Sequence, residues 1–557
     1  QKAIEFLKKD EQFESVALLL NESALIENDP MIRRALLLDA GDIILDIDPK
    51  AAARFYYKAF ETKNDDRVIL SKLLDAYQKS EEWAKSSKVL KKLASLASEN
   101  TLKGKYLYAM GVIERDKLSD HIAAVRAFDK ALDADPTLVK AIQAIDEVIT
   151  NDKDYERQDR YYRKCLARAI NHGIDSRVIF QLAQNLATLN LTKFSNDDAA
   201  IQALQVARAH APKVSEIDKQ LLAIYRSKGE LNNALDIHYN GLNDAPLKIL
   251  HYKELFITLR AFGLNESAAL VQNTLAALGH AELNQTDPPR DGRAREMPHF
   301  TQTMWKMLTP TSMRPIITEV FNLLAPAIIK TYALEDKAYS FSRPEPLGPS
   351  TIPSVFMAVA SRLRLPLPMV WFSTESAAIA QVHRMTPALV LGPGIDKLSA
   401  IEQKFMAARM LFKSKPAFFL ATHPSKFQER VSHLRDLFNG CLQLTKTGKF
   451  EFKDVPLVRR TLSTLETKDI LGLTQMLSDI TPISNTDIED WIRSIDLMAS
   501  RIGFVLVNEV EAPLRLLRNT SQSCSDLSSS DRLTDLLQFS VSRDYLSICG
   551  DLDHRSG

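Results

Sequence analysis

In the segment LSAIEQKFMAARMLFKSKP, the spacing of the polar residues comes nearest to that of a catalytic metal site. It opens with Ser399 and a glutamate three residues later, a capping-box pattern that predicts the start of a helix. Positions i and i+4 share one helical face, which is the spacing at which two metal ligands act together. Here those positions hold Arg409 and Lys413, with Met410 beside the first. Two cations one turn apart repel a divalent metal, and Met410 cannot accept a proton. The segment therefore predicts a helix without zinc chemistry.

Other catalytic patterns are missing from the sequence. There is no G-x-S-x-G nucleophile motif and no G-x-x-x-x-G-K-[ST] phosphate loop. The serine-rich stretch NTSQSCSDLSSSD predicts a flexible loop. No two histidines of the C-terminal part are four residues apart; they are His299, His383, His423, His433 and His554. We therefore expect no catalytic residue, no metal and no cofactor. A hydrolase that uses unrecognised C-terminal residues remains the alternative.

The composition is that of an ordinary globular chain. Of 557 residues, 45% are hydrophobic and 25% charged, and the formal net charge is +1. No global field therefore directs the chain to nucleic acid or to an anionic membrane. The 4 cysteines form no C-x-x-C pair, and no apolar run is long enough to span a membrane. We expect a cytoplasmic protein with reduced thiols. The sequence starts at Gln1 rather than Met, so a preceding signal or anchor is left open.

Small residues recur with a fixed period in the first half of the chain. Ala200, Ala234 and Ala268 are separated by steps of 34, and Pro212 and Pro246 by the same step. The spacing also appears upstream, from Ala52 to Ser86 and from Ala124 to Gln158. Between these blocks the step lengthens to 38 and 42, which predicts insertions in two turns. A period of this length is typical of stacked helical repeats, in which each unit hides its apolar face against the next.

The segment SEIDKQLLAIYRSKGELNNALDIHYNGLNDAP resembles the tetratricopeptide repeat. The landmarks that carry the resemblance are Leu221, Tyr225, Gly229, Ala234, Gly241 and Pro246. The resemblance covers about 1–280 and implies a solenoid of paired helices, degenerate in its first repeats. It also implies protein or peptide partners, bound on a concave face lined by the first helix of each pair.

Two successive repeats place basic residues at matching positions of that expected face. Lys219 and Arg226 are followed 34 residues later by Lys253 and Arg260. This stripe is a candidate binding surface for an acidic peptide or a carboxylate. A solvated charged face is the alternative. The stripe does not match the two-carboxylate clamp of some tetratricopeptide domains, so the resemblance implies no peptide specificity.

The period stops at a polar stretch, 281–298, which contains three prolines and predicts a linker. A different domain, 299–557, is expected beyond it because apolar β-type runs begin there. These runs are MVWF at Met369–Phe372, ALVLG at Ala388–Gly392 and FVLV at Phe504–Val507. The fold class is thus mainly α, with a helical solenoid followed by an α+β domain.

The order of elements in the second domain resembles the gluzincin metallopeptidases, the family of the CAAX prenyl protease and the bacterial heat-shock membrane protease. The resemblance rests on a strand and turn, ALVLGPGIDK, followed by the capped helix LSAIEQKFMAARMLF. About 80 residues later comes a helix that contains DLMASRIG. In the family the first helix carries HExxH and the later one a Glu-x-x-Ala-Asp-Arg-x-Gly motif.

When the family's motifs are aligned with this sequence residue by residue, the ligand and base positions fall on residues that are unsuited to zinc hydrolysis. The two histidine positions fall on Arg409 and Lys413, and the general base on Met410. The third ligand position falls on Asp496, and the aspartate of the later motif is Ser500. The resemblance therefore implies a degenerate zincin-like domain without ligands or base. If the frame is real, Asp496 must lie close to Arg409 or Lys413.

Together these patterns predict a non-catalytic interaction scaffold. Its partners are expected on the solenoid, and its inactive peptidase-like domain is expected to retain the vestigial site positions. No nucleic acid partner is expected, and the sequence does not name the partner or the oligomeric state.

Overall fold

The computed structural model describes residues 12–211, 215–280, 299–335, 338–339, 345–347, 353–376, 379–449, 455–519 and 523–552. Over these residues the chain is mainly helical, with one small sheet. It divides into two compact units, Gln1–Ile224 and Tyr225–Gly557. The division falls earlier than the predicted boundary at 280. The predicted linker at 281–298 lies outside the described residues.

Helices of the repeat region follow one another in short steps, as the 34-residue period predicts. They are Phe13–Ile26, Pro30–Ile44, Pro49–Thr62, Arg67–Lys79, Trp83–Leu96, Asn100–Asp116, His121–Ala134, Val139–Asp152, Tyr155–Asn171, Ser176–Leu189, Asp197–His210, Ser215–Lys228, Leu231–Asp244, Ile249–Ala261 and Asn265–Ala277. A π-helical turn, Asn190–Phe194, extends one of them.

The recurring small residues are the packing points of this region. Five alanines at the repeat position are 0% exposed: Ala52, Ala124, Ala200, Ala234 and Ala268. A methyl group at this position lets neighbouring helices approach closely, and larger apolar side chains fill the remaining space. Aspartates begin many of the helices by accepting hydrogen bonds from backbone N–H groups, as Asp48, Asp120 and Asp154 do. The predicted tetratricopeptide-like helical repeats are therefore present.

The predicted insertions in two turns are wrong, because the extra residues lengthen helices. Asn100–Asp116 and Tyr155–Asn171 have 17 residues each, against 14 in Trp83–Leu96. The π-helical turn adds 5 more after Ser176–Leu189. A helix can gain a turn at its end without disturbing the packed positions before it, so the period is interrupted while the stacking continues.

Helices of the C-terminal part enclose a core of large apolar side chains. They are Gln302–Leu308, Pro315–Tyr332, Ser354–Leu363, Ala400–Lys413, Phe427–Thr447, Pro456–Leu462, Thr467–Leu477, Asn485–Val507, Glu511–Asn519, Ser529–Phe539 and Arg543–Cys549, with 3-10 turns at Pro393–Lys397 and Pro416–Phe418. None of the described helices is both long enough and apolar enough to cross a membrane.

The sheet has four short strands in the order β1-β2-β4-β3. They are β1 (Glu345–Pro346), β2 (Met369–Phe372), β3 (Ile379–Val382) and β4 (Ala388–Leu391). β2 and β4 run parallel, with Val370 opposite Leu389, and β3 is antiparallel to β4. Two of the predicted strands, β2 and β4, are confirmed.

The predicted strand at Phe504–Val507 is wrong. These residues form the last turn of the helix Asn485–Val507, which ends at Asn508 in the left-handed conformation. Four consecutive apolar residues are compatible with either a strand or a helix, and here Phe504 and Val505 are 0% exposed while Leu506 and Val507 are partly buried.

The last repeat helices pack against the end of the chain, which explains the early unit boundary. The carboxylate of Asp551 accepts hydrogen bonds from the backbone N–H of Ser267 at 3.0 Å and from its hydroxyl at 2.7 Å. It therefore caps the helix Asn265–Ala277 from outside that helix. Arg543 bonds Asp236 at 2.9 Å, and the hydroxyls of Thr274 and Ser540 lie 3.0 Å apart.

Candidate vestigial site

The helix Ala400–Lys413 begins as the sequence predicts. Ser399 accepts a hydrogen bond from the backbone N–H of Glu402 at 3.3 Å, and Glu402 accepts one from the backbone N–H of Ser399 at 2.8 Å. This reciprocal cap satisfies two backbone donors that the first turn otherwise leaves unpaired. Arg515 bonds the other carboxylate oxygen of Glu402 at 3.0 Å. The cap, the ion pair and the buried face fix where this helix starts and how it is rotated.

This helix packs along Asn485–Val507, and a glycine sets how closely the two approach. A Cβ atom at Gly503 would lie 2.7 Å from Cδ2 of Phe405 and 3.0 Å from its backbone oxygen. Both distances are shorter than an ordinary contact, so only glycine fits without movement. The close approach brings facing side chains of the two helices within hydrogen-bond reach.

Replacing Gly503 by alanine is expected to destabilise the C-terminal part by about 1–3 kcal/mol, because the added methyl group forces the helices apart. Urea unfolding followed by fluorescence measures the change in a background with Trp83, Trp305 and Trp371 replaced by Phe, where Trp491, which is 0% exposed in the same core, is the remaining tryptophan. Gly472→Ala is the matched control. Its Cβ would meet only the tip of Leu323, so a smaller loss is expected there. Equal losses would contradict the role given to Gly503.

Arg409, Lys413 and Asp496 form a buried ion cluster between the two helices. The Lys413 ammonium donates a short hydrogen bond to Oδ1 of Asp496, and Nη2 of Arg409 lies 3.4 Å from the same oxygen. The side chains of Arg409, Lys413 and Asp496 are 2%, 6% and 0% exposed. The proximity predicted from the order of the motifs is thus confirmed. Met410 is also buried, at 8% exposure.

Two serines that the sequence analysis missed complete the shell of Asp496. Its second oxygen, Oδ2, accepts hydrogen bonds from the hydroxyls of Ser523 at 2.6 Å and Ser525 at 3.3 Å. Ser523 and Ser525 lie in a loop, as the composition predicts, and the loop is tied to Asp496 by these hydrogen bonds. The same segment then starts the helix Ser529–Phe539 with a capping box of Ser528 and Asp531. That Ser-x-x-Asp pattern was the available sequence signal, because serine-rich composition alone does not distinguish a loop from a cap.

The charges of the cluster stabilise one another. Burial alone would raise the pKa of Asp496, but Lys413 and Arg409 hold it well below its usual range. Burial lowers the pKa of Arg409, which Asp496 partly offsets. Asp496 is therefore a carboxylate at neutral pH whose two oxygens are both engaged. It has no proton to give and no oxygen left for a metal or a substrate.

These residues do not fit a zinc ion. Zinc in proteins is bound by neutral imidazole, thiolate or carboxylate, and its bound water needs a base nearby. Here one carboxylate faces two cations, and neither a guanidinium nor an ammonium group binds a metal ion. Among the described residues there is no group of three or more His, Cys, Asp or Glu side chains that could hold a metal ion.

The structure gives the four residues of the basic stripe different surroundings. Lys219 is exposed and lies 3.6 Å from Glu216 on the same helix. Arg260 is exposed and Lys253 partly exposed. Arg226 instead reaches across to Thr258 and bonds its hydroxyl at 2.6 Å. That hydroxyl lies 2.7 Å from Nε2 of His238, whose side chain is 1% exposed. Arg226 therefore takes part in the packing of the last repeats.

Comparisons with known proteins describe the chain only in part. No family model and no curated protein matches it. A tetratricopeptide repeat protein from Parabacteroides merdae is 16% identical over 46% of this chain and 96% of its own, with a TM-score of 0.22.

Two further solved structures show the same low likeness. The C-terminal part of a TPR repeat-containing protein from Cytophaga hutchinsonii is 15% identical over 40% of this chain and 98% of its own, with a TM-score of 0.23. YrrB, a TPR protein with an unusual peptide-binding site, is 15% identical over 33% and 88%, with a TM-score of 0.20. Similarity this low carries no argument about ligands. The assignment of tetratricopeptide-like helical repeats rests on the helix pairs and their 34-residue spacing in this chain.

Proposed function

We propose that the protein is a non-catalytic interaction scaffold. Its repeat helices offer surfaces for protein or peptide partners, and its C-terminal part retains the frame of a zincin without the chemistry. The observation that carries the proposal is the buried Arg409–Asp496–Lys413 cluster. An ion pair that fills the place of a metal keeps two helices together and leaves no reactive group exposed.

Three features support the zincin frame. The capped helix follows strand β4 and a short turn, the later helix packs along it, and the third ligand position contacts the first and second. In the proposed frame, the vestigial site positions are Arg409, Met410, Lys413 and Asp496. In such a frame the third ligand must approach the other two, and replacing histidines by cations turns a metal site into a salt bridge.

The purified protein is expected to carry no stoichiometric zinc and to cleave no peptide. Elemental analysis after dialysis against zinc, and a protease assay with an unstructured protein substrate, measure the two properties. The restoring variant Arg409→His with Met410→Glu and Lys413→His is the matched comparison, and it is expected to gain zinc if the frame is zincin-like. Cleavage by the wild type would favour the alternative, a hydrolase with unrecognised residues.

The basic stripe without Arg226 is proposed as a partner surface. Arg226 is left out because it packs against Thr258, so reversing its charge would test folding rather than binding. Lys253 and Arg260 belong to the same compact unit, so the test is confined to them. Reversing the charge of Lys253 and Arg260 is expected to weaken binding of a glutamate-rich peptide about tenfold, since exposed cations contribute to association more than to stability. Isothermal titration measures the affinity. Reversal at Lys88 and Lys91, exposed on the helix Trp83–Leu96, is the control. Equal weakening in both variants would leave the stripe as solvated surface.

A further inference from the structure

A cleft in the C-terminal part lies between the start of the helix Pro315–Tyr332 and the loop that precedes Asn485–Val507. Its volume is about 630 Å³. Its apolar lining comes from Met313, Ile316, Ile480 and Ile483, of which the first three are partly exposed. These side chains continue outward from the hydrophobic core. The apolar side chains of the cleft therefore form one continuous patch, unlike single apolar residues scattered over a surface.

The walls of the cleft are held by specific hydrogen bonds. The side-chain amide of Asn439 bonds both the backbone N–H and the carbonyl oxygen of Ile483, at 2.9 Å each. On the opposite wall, the indole N–H of Trp491 donates to the hydroxyl of Thr318 at 2.9 Å. A wall fixed in this way loses little conformational freedom when a ligand binds, which favours affinity.

The rim of the cleft carries negative charge. Arg314, the lining cation, is engaged by Asp487 at 2.6 Å. Glu319 and Asp479 lie on the two sides and are exposed. Within the described part of the chain, neither of these two carboxylates has a Lys, Arg or His within ion-pair distance. A ligand in the cleft therefore meets apolar surface between two carboxylates.

We propose that this acidic cleft docks a segment of a partner protein in which an apolar side chain is flanked by lysine or arginine. The apolar side chain fills the space between Ile316 and Ile480, and the flanking cations pair with Glu319 and Asp479. An acidic segment is repelled by the rim, and an uncharged one leaves two carboxylates partly desolvated without a partner. This surface is separate from the basic stripe and selects a ligand of the opposite charge.

The test uses the full chain and two labelled peptides that differ only in charge, one of alternating isoleucine and lysine and one of alternating isoleucine and glutamate. Fluorescence anisotropy measures binding at low and high salt. The lysine peptide is expected to bind, more weakly at high salt, and the glutamate peptide is not. Glu319→Lys with Asp479→Lys is expected to weaken binding about tenfold or more.

Two controls decide between the possible outcomes. Glu14→Lys with Glu22→Lys makes the same charge change at exposed carboxylates far along the chain and is expected to bind as the wild type does. The milder pair Glu319→Gln with Asp479→Asn keeps the test valid if the lysine variant does not fold. Equal binding of both peptides, or equal weakening in the control, overturns the proposal. Self-association of the full chain that only the cleft variant abolishes would assign the cleft to a second copy, and also overturns it.

Discussion

Asp496→Ala is expected to destabilise the C-terminal part by about 3–5 kcal/mol, because it leaves two buried cations without a counter-ion. Lys413 and Arg409 are nearly inaccessible to water, so neither is rehydrated unless the two helices separate. The measurement is urea unfolding at neutral pH, followed by fluorescence in the background that retains Trp491 as the remaining tryptophan. An exposed carboxylate in the same part, Asp396, is the control, and Asp396→Ala is expected to change stability by about 0.5 kcal/mol or less.

A second variant separates two free energies: the loss of stability when one member of the ion cluster is removed, and the net contribution of the intact cluster to stability. Replacing all three members by apolar residues, Arg409→Met, Lys413→Met and Asp496→Leu, removes every buried charge and is expected to regain most of the stability. The serines that bond Asp496 then lose a partner, so the recovery is expected to be incomplete. A triple variant as unstable as Asp496→Ala would show that packing in the frame, rather than charge balance, is the main contribution of these residues.

Acid is expected to destabilise the unit Tyr225–Gly557 through two buried histidines, His383 in its C-terminal part and His238 in its repeat helices. Burial lowers the pKa of each from 6.5 to about 3. The unfolded chain therefore binds more protons than the folded chain between these values. The stability is complete above pH 6.5 and falls by about 1.4 kcal/mol per pH unit for each histidine as the pH is lowered toward 3.

The surroundings of His383 explain why it stays neutral. The centroid of the His383 ring is 5.4 Å from that of the His423 ring, and Nε2 of His383 is 3.0 Å from the hydroxyl of Thr422. That hydroxyl donates to the carbonyl oxygen of Phe418, so Nε2 carries the proton. Nδ1 is buried without a hydrogen-bond partner in the described part of the structure. The charges that act on His383 are those of His423 and Arg430, and both oppose its protonation.

The variant His383→Leu is expected to show a shallower loss of stability between pH 6.5 and 4 than the wild type. Urea midpoints at half-unit pH intervals measure the slope. His299→Leu is the control, because that imidazole is exposed. Asp496 does not interfere, since its lowered pKa places its protonation below this range. An unchanged slope in His383→Leu would refute the assignment.

The sequence predicted the features that depend on local pattern. The helical repeats followed from alanines that must be small wherever paired helices meet, and the capped helix followed from Ser399 and Glu402. The approach of Asp496 to Lys413 followed from the order of two motifs in a resembling family. That resemblance also supplied the reason to compare positions 87 residues apart, which no local pattern would suggest.

Other features depend on contacts between distant segments and were not predictable. The run Phe504–Val507 fits a strand as well as a helix, because four consecutive apolar residues show neither the helical nor the strand periodicity. The position of Ser523 on Asp496 depends on how an irregular segment crosses two helices. The engagement of Arg226 with Thr258 depends on the packing of two successive repeats, whereas the sequence shows only a regular spacing of cations.

The cap that Asp551 places on Ser267 links the order of synthesis to the order of folding. The helices up to about 224 have their packing partners within one compact unit, so they can fold while the rest of the chain is still being made. The helix Asn265–Ala277 contacts residues about 284 positions later. The side of this helix that faces those residues therefore stays uncovered until they have been synthesised as well. Between those two moments the emerging chain must avoid aggregation, and chaperones would be needed for this interval rather than for the earlier repeats.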